Sequence, residues 1–106
     1  MRVIQYADIV AQIKALCLDA NCNLPADVYK ALVEAQKDEA SPLGQSVLDA
    51  ILDNAHIARE KKMPLCQDTG MVVVFAEIGQ DVHIQGGLLS DAVDEGVRQA
   101  YQEGYF

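Results

Sequence analysis

The sequence predicts an α+β fold, and three features of its patterning predict it. Apolar residues recur at helical spacing through roughly the first sixty positions, interrupted twice by short proline-bearing breaks. After Pro64 the texture changes to "MVVVFAEI", a continuous apolar run rich in β-branched residues. Helical spacing then returns behind the glycine pair of "HIQGG". The implied order is α-α-α-β-β-α, with helices and strands segregated along the chain rather than alternating.

Ile9, Ile13, Leu16 and Cys17 fall at i, i+4, i+7 and i+8, which predicts an amphipathic helix around residues 7–20. "NCNLP" breaks it, and Pro25 suits the first turn of a second helix, where a missing amide costs nothing. Val28, Leu32 and Ala35 form the expected inner face of that helix. Ser41 and Pro42 then supply an N-cap hydroxyl and a first-turn proline for a third. Its apolar stripe is Val47, Leu48, Ile51, Ala55 and Ala58, and Pro64 stops it. Arg59, Lys61 and Lys62 sit where a helix C-terminus favours cations. Residues 1–63 are thus expected to be three packed helices.

"MVVVFAEI" fits a strand buried on both faces, "GQD" a turn, and "VHIQ" a second short strand, so a β-hairpin is expected. Ser90 is placed to cap the last helix, with Val93, Val97, Ala100 and Tyr101 on its inner face. The organisation is therefore a helical segment 1–63, a loop 64–70, and strands plus a helix over 71–106. A doubly buried strand with few partners, together with the aromatic end "QEGYF", leads to the expectation that the chain is a fragment of a larger catalytic domain.

Bulk properties narrow the function classes. A chain of 106 residues buries roughly 65% of its unfolded surface, enough for a core without disulfide staples. Its 51% apolar and 23% charged content is a globular balance. The net charge of −8 argues against binding a phosphate backbone, which requires clustered Lys and Arg. No apolar run approaches the ~20 residues of a membrane-spanning helix, and the N-terminus lacks a signal-peptide pattern. The expectation is a cytoplasmic protein with neither nucleic acid nor membrane as partner.

The chemistry concentrates at Cys66. Of the three cysteines, Cys17 lies on an apolar stripe, and Cys22 follows it in the next turn with nothing that marks it as a ligand. Their spacing to Cys66 fits no standard zinc or iron–sulfur run. Cys66 differs, because "PLCQDTG" sets it on a loop among an amide, a carboxylate and a hydroxyl, poor neighbours for an inert buried thiol. The Asp68 carboxylate disfavours a thiolate beside it unless a metal supplies opposing charge, so the pattern favours a metal ligand over a nucleophile. Gly70 permits the turn that follows. His56, beside Ala55 and Ile57 on the third helix, is expected at its surface or at the edge of its buried face. His83 shares a strand face with Gln85, opposite Val82 and Ile84, and Gly86 and Gly87 suit a plain turn better than an anion cradle.

These residues carry a resemblance. "PLCQDTGMVVVF", "EIGQDVHIQGG" and "AVDEGVRQAYQEGY", with "LCLDANCNLPADV" and "ASPLGQSVLDAILDNAHIA" upstream, make the chain similar to the iron–sulfur-dependent (class I) fumarase and tartrate dehydratase family. The likeness is to the N-terminal part of that family's alpha region and covers nearly the whole chain. It implies a hydro-lyase acting on a small dicarboxylic acid through a 4Fe–4S cluster held by three cysteines. Residue by residue, Cys66 matches the first cluster ligand. Gln67 and Asp68 match substrate-binding positions, Asp68 being also catalytic.

The resemblance further implies two cluster cysteines, substrate-clamping arginines and a base that this chain lacks. Its only arginines are Arg2, Arg59 and Arg98. The chain alone is therefore expected to be inactive, and its implied partners are the remaining alpha region, a beta subunit or domain, and further copies in an oligomer. Two other readings stay open from the residues: a non-catalytic helical interaction module of the same fold, and a thiol redox protein using Cys66.

Overall fold

The computed structural model describes residues 1–106 in the order β1 (Arg2–Gln5), α1 (Tyr6–Cys22), α2 (Ala26–Asp38), α3 (Pro42–Lys61), β2 (Val82–Gln85) and α4 (Leu89–Gly104). The four helices fall close to their expected bounds, and the α+β class holds. The chain divides into two compact units, one of Met1–Asp19 with Asp68–Phe106, the other of Ala20–Gln67.

In the first unit, α4 presents its smallest residues to α1. Ala92 and Ala100 are fully buried, and Gly96 is buried between them at the intervening turn. A methyl group on Gly96 would lie 2.6 Å from Ile13 Cβ and 2.9 Å from the Val10 carbonyl oxygen. The missing side chain is therefore what lets the two backbones approach. Ile13, Cys17 and Ala100 form the core of this contact, with Ile9, Leu18, Val93, Val97 and Tyr101 packed around it. Leu16, expected on the inner face of α1, is instead 61% exposed, and Val10 takes a buried position in its place. Lys14 and Glu103 form an ion pair at the edge.

The expected hairpin is replaced by a parallel pair. β2 hydrogen-bonds to β1 in the register Arg2↔Val82, Val3↔His83, Ile4↔Ile84 and Gln5↔Gln85. The turn before β2 does form, with Val82 N donating to Gly79 O at 3.2 Å. Residues 71–78, however, form no strand, and every one of them is exposed. A run apolar on both faces is stable as a strand only between two covering layers, which this chain does not supply. Four residues with one β-branched pair gave too short a pattern to announce β1. Along β2 the alternation is as expected, with Val82 and Ile84 half-buried and His83 and Gln85 exposed.

Gly86 and Gly87 make a turn shaped around Tyr6. Gly86 has φ +102°, and a Cβ on Gly87 would lie 2.5 Å from the Tyr6 ring. α4 starts directly after them with Leu88 at its N-cap, so Ser90 falls inside the first turn and does not cap it.

In the second unit α2 and α3 run antiparallel, as the cross-links Gln36 Nε2 to Asp49 Oδ1 and Tyr29 to His56 require. Ser41 caps α3 as expected, accepting from Gly44 N at 3.3 Å, with Pro42 in the first turn. The buried residues of α3 are Leu52, Ala55 and Ala58, while Val47 and Ile51 are exposed. α2 buries no residue fully, and its half-buried positions are Tyr29, Leu32, Val33 and Gln36 rather than Val28 and Ala35. On α2, Leu32 turns inward as expected while Tyr29 and Gln36 replace Val28 and Ala35, a shift of one residue or about 100° on a helix with 3.6 residues to the turn. On α3, Leu48, Ala55 and Ala58 turn inward as expected and Leu52 replaces Ile51. α3 ends at Lys62, in the left-handed region with φ 53°, and Met63 N donates to Ala58 O at 3.0 Å.

Two substitutions test these features. Glycine to alanine inside a helix ordinarily stabilises by about 1 kcal/mol. At Gly96 the sign should reverse, with Gly96→Ala costing about 1–3 kcal/mol in urea denaturation because the methyl has no space. Lys62→Gly should raise stability by about 0.5–1 kcal/mol in the same assay, since glycine adopts the left-handed conformation without a Cβ clash.

Candidate functional site

The loop after α3 is tied down at Leu65. Leu65 N donates to Asn21 O at 2.8 Å, and Asn54 Nδ2 donates to Leu65 O at 2.7 Å. Both backbone groups of Leu65 are thus held within the helical unit, immediately before Cys66. The Cys66 side chain is exposed, and its thiol donates to Gln67 Oε1 at 3.2 Å. A thiol is a weak donor, so this contact orients Cys66 without committing it.

Asp68 is held differently. Its Oδ1 accepts from Gly70 N at 3.0 Å, a local turn in which the carboxylate mimics a backbone acceptor. Gly70 sits at φ +64°, a conformation that favours glycine, and nothing lies within 4 Å of where its Cβ would be. Thr69, half-buried, has its carbonyl oxygen bonded by the Tyr101 hydroxyl at 3.1 Å. The structure therefore brings Cys66 and Gln67 together, and turns the Asp68 carboxylate onto the backbone of its own turn.

Sequence reasoning missed three supports: Asn21, Asn54 and the Tyr101 hydroxyl. For Tyr101 a signal existed, because a tyrosine on an apolar helical stripe needs a partner for its hydroxyl.

The other candidates resolve plainly. Cys17 and Cys22 are both buried, and burial pushes the Cys17 thiol above its ordinary value, which favours an inert protonated sulfur. No three His, Cys, Asp or Glu side chains are grouped as a metal site. His56 is half-buried, with Nε2 3.1 Å from the Tyr29 hydroxyl and Nδ1 3.2 Å from Arg59 Nη2. His83 is exposed on β2.

A groove of about 550 Å³ in the first unit is lined by Gly70, Met71, Val72, Val97, Arg98 and Tyr101 among others. Its lone cation is already engaged, since Arg98 donates to both Glu95 oxygens at 2.6 and 2.8 Å. That guanidinium, helped by the Gln99 amide, lowers the Glu95 carboxyl to about 2. The groove therefore offers no unengaged guanidinium. No helix is long and apolar enough to cross a membrane.

Known proteins resemble this chain along most of its length. A Methanocaldococcus jannaschii protein provisionally named L(+)-tartrate dehydratase subunit alpha is 39% identical over 98 residues, covering 92% of this chain and 33% of its own. The L(+)-tartrate dehydratase subunit alpha of Escherichia coli K12 is 30% identical over 96 residues, covering 88% of this chain and 31% of its own. The chain thus spans about a third of the length of the curated relatives it matches. The family model described as fumarate hydratase (Fumerase) matches residues 10–106, and the chain belongs to that family.

Proposed function

We propose that this chain supplies the N-terminal part of the alpha region of an iron–sulfur hydro-lyase. The enzyme adds water to, or removes it from, a small dicarboxylic acid of the fumarate/malate or tartrate type. The observation that carries the reading is the exposed thiol of Cys66 on an anchored loop, within a sequence that belongs to the fumarate hydratase family. The names of the relatives, both tartrate dehydratase alpha subunits, support the reaction class.

Tested against a 4Fe–4S cluster, the donor set fits one anchor point. Cys66 is a soft, accessible ligand of the kind iron–sulfur clusters take, whereas Cys17 and Cys22 are buried. Two further cysteine ligands belong to the remainder of the alpha region. Such a cluster, when bound, supplies an iron with an open position that acts as a Lewis acid towards a hydroxyl and a carboxylate. Gln67 offers an amide that both donates to and accepts from a substrate oxygen. Asp68 offers a carboxylate that binds the substrate hydroxyl and holds a proton during its departure or addition. A beta subunit or domain completes the substrate site, and the assembly is an oligomer in a reducing, cytoplasmic compartment. The isolated chain is inactive in this reading.

Two variants of the complete enzyme, reconstituted without oxygen, separate the roles. Cys66→Ala should lose both the brown cluster absorbance and turnover. Asp68→Asn should keep the absorbance and lose turnover by about 10²–10⁴-fold, the usual range for a positioned acid–base group. Full absorbance and activity in Cys66→Ala would refute the assignment, and unaltered turnover in Asp68→Asn would remove Asp68 from the chemistry.

A further inference from the structure

We infer that Tyr101 is a positioning residue that fixes the Asp68 carboxylate through the Thr69–Gly70 peptide. The inference rests on the proposed place of Asp68 in the substrate site. Tyr101 and Asp68 address opposite ends of one peptide unit. The phenol donates to the Thr69 carbonyl oxygen at 3.1 Å, and the Gly70 N–H of that same peptide donates to Asp68 Oδ1 at 3.0 Å. A peptide is planar and stiff, so fixing its carbonyl direction fixes its N–H direction. Donation to the carbonyl also polarises the amide and strengthens the bond it makes in turn.

The turn has little else to hold it. Asp68 and Gly70 are exposed, Gly70 is in the left-handed region, and the space where its Cβ would be is empty to 4 Å. Side-chain packing therefore does not select this geometry. Tyr101, in contrast, is well anchored. It packs against the Ile13, Cys17 and Ala100 core, and its ring meets Phe106 edge-on at 5.4 Å and 88°. An anchored donor thus meets an unsupported turn, and the direction of control runs from α4 to the loop. A carboxylate that takes or gives a proton must already lie within hydrogen-bond reach, so its rotamer is worth fixing in advance.

The test is Tyr101→Phe in the complete enzyme, a change that keeps the ring and its packing and removes only the hydroxyl. Two measurements are read together: steady-state kinetics with iron content, and amide hydrogen exchange of peptides spanning 66–75 and α4. We expect kcat to fall about three- to tenfold, the range one hydrogen bond carries, with KM and iron content unchanged. Exchange should quicken in the 66–75 peptide while α4 keeps its protection. Unchanged exchange at 66–75, or a lowered melting temperature with kcat intact, would overturn the inference. So would loss of iron, which would place the effect at Cys66 instead. A wild-type enzyme without hydro-lyase turnover would refute the proposed function and leave the exchange measurement to decide the positioning by itself.

Discussion

The close approach of α1 and α4 at Gly96 is the constraint on which the first unit depends. With no side chain at that position, Ile13 and the Val10 carbonyl sit where any larger residue would put its Cβ. Ala92 and Ala100, one turn to either side, extend the contact while burying almost no bulk of their own. Larger residues then close around it, among them Tyr101. Because Tyr101 also reaches the Thr69 carbonyl, the packing of two helices is linked by a single hydroxyl to the backbone after Asp68. The loop's geometry is in this sense a consequence of helix packing, since Gly70 and Asp68 have little packing of their own.

The helical unit makes the complementary arrangement for Cys66. Asn54 and Asn21 satisfy both backbone groups of Leu65, so the chain leaves α3 in a defined direction although Cys66 itself is exposed. An exposed thiol on a fixed backbone suits ligation, because the protein has met the ordering cost before a ligand arrives. The buried cysteines make the opposite case: desolvation raises the Cys17 thiol and keeps it a small apolar filler.

Local signals made the helices legible, and non-local ones hid the sheet. Ser41-Pro42 announced the start of α3 because capping is a two-residue event, and the α4 stripe Val93, Val97, Ala100 and Tyr101 packs as its spacing required. Leu48, Ala55 and Ala58 of α3 and Leu32 of α2 turn inward as their spacing required, but Val28, Ala35 and Ile51 give way to their next neighbours, since which of two adjacent residues turns inward depends on the partner helix. The pairing of β1 with β2 joins segments separated by three helices, and no local pattern encodes that choice. "MVVVFAEI" carries the composition of a buried strand, yet Met71 and Phe75 are 90% and 94% exposed. At the candidate site, Cys66 stood out as a loop thiol among polar groups, while the roles expected of Gln67 and Asp68 came from the family resemblance alone. Their supports were not legible, since each comes from a distant element.

The central claim is that the exposed Cys66 sulfur is a cluster ligand in the complete enzyme. Iodoacetamide labelling without oxygen, read by mass spectrometry at the Cys66 peptide, tests it directly by comparing enzyme carrying its iron with enzyme stripped of it. Ligation predicts that Cys66 is protected while iron is bound and alkylated readily once it is removed. Equal labelling in both states would contradict the claim.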